Sequence, residues 1–239
     1  MKKLMLLLVL YCCAQKALAQ AQQPDPAQQQ ALDKITYAIK VVFNKLNSAD
    51  WTLTHDYYDP HMTISYQQQG APLGFNNNFE RQYELVKGSP TYASIIQPLL
   101  DRKNALAAAQ KYDSLKVIDN QIYTLSHFTV YANINMATVE LSARFRQYQK
   151  LSLKGCTYCG RTYSSNSFGA TAPSYNLLFG NWDTAACDAA GHTVNYKFKH
   201  PVKTPFIENV DIKIIGDNPI IQNLLNNTDW STITNALTP

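Results

Sequence analysis

Hydrophobic and polar positions along the chain alternate with two different periods. From Leu32 to Leu46, Leu32, Ile35, Ile39, Val42, Phe43 and Leu46 fall on one stripe while Asp33, Lys34, Lys40 and Lys45 fall elsewhere. That spacing predicts an amphipathic helix ending at Asn47-Ser48. Asp50 stands where a cap would sit, so Trp51–Tyr58 reads as a short second helix. After Asp59-Pro60, Met62, Ile64 and Tyr66 alternate with Thr63, Ser65 and Gln67 as in a half-buried strand, and Gly70–Gly74 reads as a turn. A further helix is expected after the Asn76-Asn77-Asn78 cluster, carrying Phe79, Tyr83, Leu85 and Val86 to a stop at Gly88-Ser89-Pro90.

Between 98 and 126 the apolar stripe changes direction. Leu99 and Leu106 lie on one line, Tyr112, Leu115, Ile118, Ile122 and Leu125 on another, so two helices are expected with a break near Asp113-Ser114. The clearest alternation comes next. Phe128, Val130, Ala132 and Ile134, then Val139, Leu141, Ala143 and Phe145, predict a hairpin with one polar face; 194–198 and 210–214 predict two more strands. Asn218-Pro219 opens a last helix carrying Ile220, Ile221, Leu224 and Leu225.

Composition changes this picture at the N-terminus. Lys2-Lys3, the apolar run Leu4–Cys13 and Ala17-Leu18-Ala19 have the order of a secretory signal, with cleavage expected before Gln20. The mature chain is therefore expected to be exported, periplasmic or secreted. The apolar run is shorter than a membrane span, and no later stretch reaches that length. Residues 20–30, rich in Gln and Pro, read as a disordered tether, and 31–239 as a single α+β domain with insertions at about 90–126 and 155–192. The signal holds three of the 21 lysines and arginines and none of the 17 acids. The mature charge is close to balanced, which removes the electrostatic argument for nucleic acid.

Candidate chemistry lies in two places. Cys156-x2-Cys159 with Cys187-x4-His192 has four ligand types suited to tetrahedral zinc. Export argues instead for a disulfide from Cys187 to Cys156 or Cys159, and a bridge to Cys156 closes a loop of about 30 residues, contributing roughly 3.5 kcal/mol. A redox pair fits less well: the residues after Cys159 read as loop, with no helix N-terminus to lower a thiol pKa. No other cofactor is implied. His55-Asp56-Tyr57-Tyr58-Asp59-Pro60-His61 gathers two imidazoles and two carboxylates. Arg144, Arg146, Lys197, Lys199 and Lys213 share the polar face of the expected sheet, and Tyr158, Tyr163, Tyr175, Phe179 and Trp182 make the cysteine segment aromatic. Both sets read as a solvated face and core cover, or as a recognition surface.

The order of these elements resembles the SnoaL-like or NTF2-like cone superfamily, on Asn47–Trp51, on Tyr57-Tyr58-Asp59-Pro60-His61 leading into Met62–Tyr66, on Gly70–Gly74 and on the strands at 128–146 and 194–214. The resemblance implies a curved, mainly antiparallel sheet with helices on one face, a pocket between them, and a place near the first strand where His55, Asp56, Asp59 or His61 would act in acid–base chemistry. Three functions are expected in turn: a non-catalytic exported binding module for a small apolar ligand or protein partner, an acid–base enzyme, or a structural component of an envelope or secreted complex.

Overall fold

A computed structural model describes residues 25–58, 78–140, 149–165, 171–183, 193–201, 204–216 and 218–238. The expected signal at 1–19, the strand at 62–66, the turn at 70–74 and most of the strand at 139–145, with Arg144 and Arg146, lie outside them.

The protein is α+β, built on a seven-stranded antiparallel sheet. Its strands are β1 (Trp51–Tyr58), β2 (Asn78–Leu85), β3 (His127–Ile134), β5 (Gln149–Leu151), β6 (Tyr158–Ser165), β7 (Thr171–Phe179) and β9 (Val210–Ile215), in the spatial order β1-β2-β3-β9-β7-β6-β5. A separate ribbon pairs β4 (Thr138–Glu140) with β8 (Thr193–Asn195). Among the described residues six α-helices accompany them: α1 (Pro26–Phe43), α2 (Pro90–Ile95), α3 (Gln97–Ala108), α4 (Tyr112–Ser126), α5 (Pro219–Asn227) and α6 (Ser231–Thr234).

Helix α1 begins inside the segment expected to be a tether. The Asp25 carboxylate accepts from the Gln28 N–H at 2.8 Å while the Gln28 side chain accepts from the Asp25 N–H at 3.0 Å, with Pro26 in the first helical position. This capping box satisfies donors that a disordered start would leave to water, so the polar Gln28–Gln30 run is helical. The expected stripe, Leu32 through Leu46, is fully buried. At roughly 1.5–3 kcal/mol for each large side chain, that stripe outweighs the weak local propensity of a Gln-rich start.

The stripe packs on one face of the sheet. Paired residues of an antiparallel sheet share a face, and the registers place Phe79, Ala132, Ile212, Leu177 and Cys159 in one row, with Val130, Ile214 and Tyr175 in the next. All are buried in the same core as α1, α5 and α6, with Trp230 fully enclosed. Asn218 caps α5 through the Ile221 N–H at 3.1 Å, as its Asn-Pro sequence predicts.

Several expected elements are corrected. Trp51–Tyr58 and Asn78–Leu85 are strands, paired with each other. Trp51, Thr52 and Thr54 favour a pleated surface, and Phe79, Arg81, Tyr83 and Leu85 satisfy a period of two as well as Phe79 and Tyr83 satisfy a helical step. Gly88-Ser89-Pro90 begins helix α2: Ser89 Oγ accepts from the Tyr92 N–H at 3.1 Å. The break between α3 and α4 falls at Ala109–Lys111, where Gln110 takes φ of 56°, so Ser114 caps nothing. β3 forms no hairpin with the following strand; it pairs with β2 and β9, while β4 leaves the sheet for the ribbon.

The stretch expected as an insertion at 155–192 supplies β6 and β7, and β7 stands beside β9 near the middle of the sheet. From Ala172 to Phe179 every residue is buried. A strand buried on both faces shows no alternation, and Pro173 reads as a strand breaker; here it stands at the end of the β7–β9 ladder, where its carbonyl accepts from Gly216 N at 2.9 Å.

Candidate functional site

The outer face of the sheet is divided. At one end the β4–β8 ribbon covers it: Val139, Val194 and Tyr196 pack with Tyr158, Leu178 and Trp182 in a second small core. Tyr158 and Trp182 of the cysteine segment are thus structural, as are Tyr175 and Phe179 in the main core. At the other end, among the described residues, the face carries a cleft of about 220 Å3 between the last turn of α4 and strands β2, β3 and β9.

Tyr123 and Thr124 of α4, Gln82 of β2, and His127, Thr129 and Tyr131 of β3 line the cleft. Tyr123 stacks on His127, ring centroids 4.3 Å apart and planes 13° from parallel. The chain passes straight from helix to strand between them, which places residues four apart face to face. His127 Nδ1 lies 3.2 Å from the Tyr123 carbonyl and 2.8 Å from Ser126 Oγ. A carbonyl only accepts, so a bond to Tyr123 requires a proton on Nδ1, whereas the Ser126 hydroxyl can either donate to Nδ1 or accept from it. Nε2 is left facing Glu84 at 4.0 Å and the cleft. The Tyr131 phenol is hydrogen bonded to Glu80 and its pKa is raised, first by burial and then by that carboxylate.

His55 and Asp56 do not form a dyad. β1 carries a register shift between Leu53 and His55, after which His55 stands opposite Gln82 on the outer face and Asp56 opposite Arg81 on the inner face. Successive strand residues point to opposite faces. Asp56 is held by Arg81, Nε to Oδ1 at 3.0 Å, and Arg81 also donates to Asn44 at 3.1 Å. Asp59 and His61 lie outside the described residues.

Cys156 and Cys159 are free thiols. Cys156 donates to the Tyr158 carbonyl at 2.9 Å, and burial pushes its pKa up to about 12; burial also raises that of Cys159, a core residue between Leu151 and Leu177 in the sheet register. Thiolate is the reactive and metal-binding form. These two therefore sit in the wrong surroundings for redox work. Cys187 and His192 lie outside the described residues, and with them the expected disulfide and the second half of the zinc set; among the described residues no cluster of three or more His, Cys, Asp or Glu side chains is placed to hold a metal.

A broader concavity of about 430 Å3 lies between Tyr196, Lys199 and Glu208 and the C-terminal residues Thr234–Thr238. Its Glu208 is already saturated: it accepts from the Lys199 and His200 N–H groups and pairs with His200 Nδ1 at 2.9 Å.

Sequence reading missed Tyr123, His127, Tyr131 and Gln82. The available signal was an aromatic residue on the polar side of β3, together with Tyr123 and His127 four apart across a helix–strand junction. No family model, curated protein or solved structure matches the chain, so the reading of the site rests on its own geometry. Among the described residues no helix is long and apolar enough to cross a membrane.

Proposed function

We propose that the protein is an exported, non-catalytic binding module that holds a small ring-bearing ligand in the cleft beneath the end of α4. The observation that carries this reading is the Tyr123–His127 stack set against Gln82, Thr129 and Tyr131. Aromatic faces with a few convergent polar groups are the usual makeup of a small-molecule site, and this volume suits a single ring better than a drug-sized molecule. The ligand is thus more polar than the apolar compound expected at first. In the cone superfamily the pocket would lie between the sheet and its helices; among the described residues that space is occupied by Leu32, Ile39, Tyr83 and Val130. The separation of His55 from Asp56 across the sheet supports binding over acid–base turnover. Export belongs to the reading on the strength of Lys2–Ala19, and the mass of the mature protein tests it: cleavage before Gln20 is expected.

NMR titration with glucose, N-acetylglucosamine, nicotinamide and phenol tests the cleft. At least one single-ring probe is expected to shift Thr124 and Thr129 amides without being converted. Tyr123→Ala should weaken that probe about tenfold, the loss of roughly 1.4 kcal/mol of stacking. Shifts confined to other surfaces, or turnover of the probe, would overturn the reading.

A further inference from the structure

The cleft does not end at β2. At its level the cross-strand registers continue outward, Thr129 to Gln82 to His55, and one step along the strands Tyr131 to Glu80 to Tyr57. All six are on the outer face, and His55, Tyr57 and Gln82 are exposed, Tyr57 at 45%. The His55 and Tyr57 rings lie in nearly parallel planes, 3° apart, with centroids separated by 6.2 Å. Together they put two parallel aromatic rings on β1, the outermost strand among the described residues. Between these rings and the cleft stand Gln82 and Glu80: the Gln82 amide donates to Glu80 Oε1 at 2.7 Å, and the Glu80 carboxylate is also hydrogen bonded to the Tyr131 phenol at the cleft, so the two side chains form one polar strip.

We propose that this surface binds an extended neutral oligosaccharide, one ring seated in the cleft against Tyr123 and His127 and the next rings crossing Glu80 and Gln82 to stack on Tyr57 and His55. The proposal rests on the cleft reading above and deepens it. Three properties select a sugar. The strip offers carboxylate and amide oxygens in the middle, which suit ligands rich in hydroxyl donors, and charge-assisted hydrogen bonds of this kind are the stronger ones. Aromatic faces stand at both ends, where the apolar face of a sugar ring stacks. Glu80 and Glu84 disfavour phosphate, sulfate and uronate groups on the β2 side, while Lys213 of β9 stands directly beside Tyr131. The length also fits: β1 is two strand spacings from β3, about 10 Å, the reach of a di- or trisaccharide. A protein partner would ask for a larger aliphatic centre than this strip presents.

Isothermal titration decides it, using glucose, cellobiose and cellotriose, and in parallel N-acetylglucosamine with its β-1,4-linked dimer and trimer. In at least one series affinity is expected to rise about tenfold from one ring to three. Tyr57→Ala should erase that gain and leave the single-ring affinity unchanged, Tyr57→Phe should restore it, and unchanged thermal unfolding would show that the edge strand is intact. Equal affinity for one ring and three in both series overturns the extended site while leaving the cleft reading standing. No binding of either series up to about 10 mM, well above the millimolar range of weak complexes, overturns the saccharide class. Phenol or nicotinamide shifts at Thr129 would then show that the cleft itself survives.

Discussion

Asp211 is the carboxylate whose chemistry is most altered by its surroundings among the described residues. It is 5% exposed on the outer face, accepts one hydrogen bond from Asn133 Nδ2 at 3.2 Å and leaves Oδ1 without a partner. Burial lifts its pKa from 3.8 to about 6, against smaller opposing effects of Asn133 and Lys213. Between about pH 4 and pH 6 the unfolded chain has lost this proton and the folded chain still holds it. Stability should therefore fall as pH rises through that window and level off above it, by on the order of 3 kcal/mol. Asp211→Asn, which keeps the acceptor for Asn133, is expected to flatten this dependence and to be more stable than the parent at pH 7.5, measured by urea unfolding across pH. Asn135 is a second residue shaped by its surroundings. With φ of 52° it occupies the left-handed region, is fully buried, donates to the Phe206 carbonyl at 2.9 Å and accepts from the Glu208 N–H at 2.8 Å. Asn135→Ala removes both bonds and a residue that tolerates this backbone, so a loss of about 3 kcal/mol is expected. Asn135→Gly should lose less, because only the bonds go.

At the scale of elements, the arm formed by α2, α3 and α4 behaves differently from the sheet it interrupts. α2 and α3 bury no residue, α4 buries only Ile118 and Ser126, and Tyr112 and Val117 are exposed at 69% and 56%. α3 and α4 hold mainly to each other, with a Lys103–Asp119 ion pair of little stabilising weight on the surface. Amide exchange is expected to be fastest in α3 and the first half of α4 and slowest in β3, β7 and β9, since local opening needs only the loss of exposed contacts. Uniform protection across both would contradict this. The end of α4 is the exception: Tyr123 and Ser126 are tied to His127, and the cleft forms where the loosely held arm meets the buried strand. β6 behaves as a structural strand, so Cys156 and Cys159 should resist iodoacetamide at pH 8 in the folded protein and react fully in guanidinium, resolved by mass.

Across the whole molecule the two faces of the sheet differ. Among the described residues, one side packs against α1, α5 and α6; the other is covered at one end by the β4–β8 ribbon and carries the Tyr123–His127 cleft at the other. Gly155 shows how tightly the packed side is built. Its φ is 81°, and a Cβ there would run into the Trp230–Ser231 backbone at the start of α6. How much of this was legible depended on whether one face of an element met water. The stripe of α1, the alternation of β3 and β9 and the Asn-Pro start of α5 were legible in residue order, because half-buried elements leave a period in the sequence. The α+β class followed from them. β7 left no period because both its faces are buried, and β1 and β2 were misread because a few aromatic positions satisfy helix and strand spacing alike. Tertiary structure alone decided that β3 joins β2 to β9, that Asp56 turns inward to Arg81 while His55 turns outward, and that Tyr123, His127 and Gln82 share a cleft. Those are pairings between residues distant in sequence, set by which strands find one another, and local spacing carries no record of them.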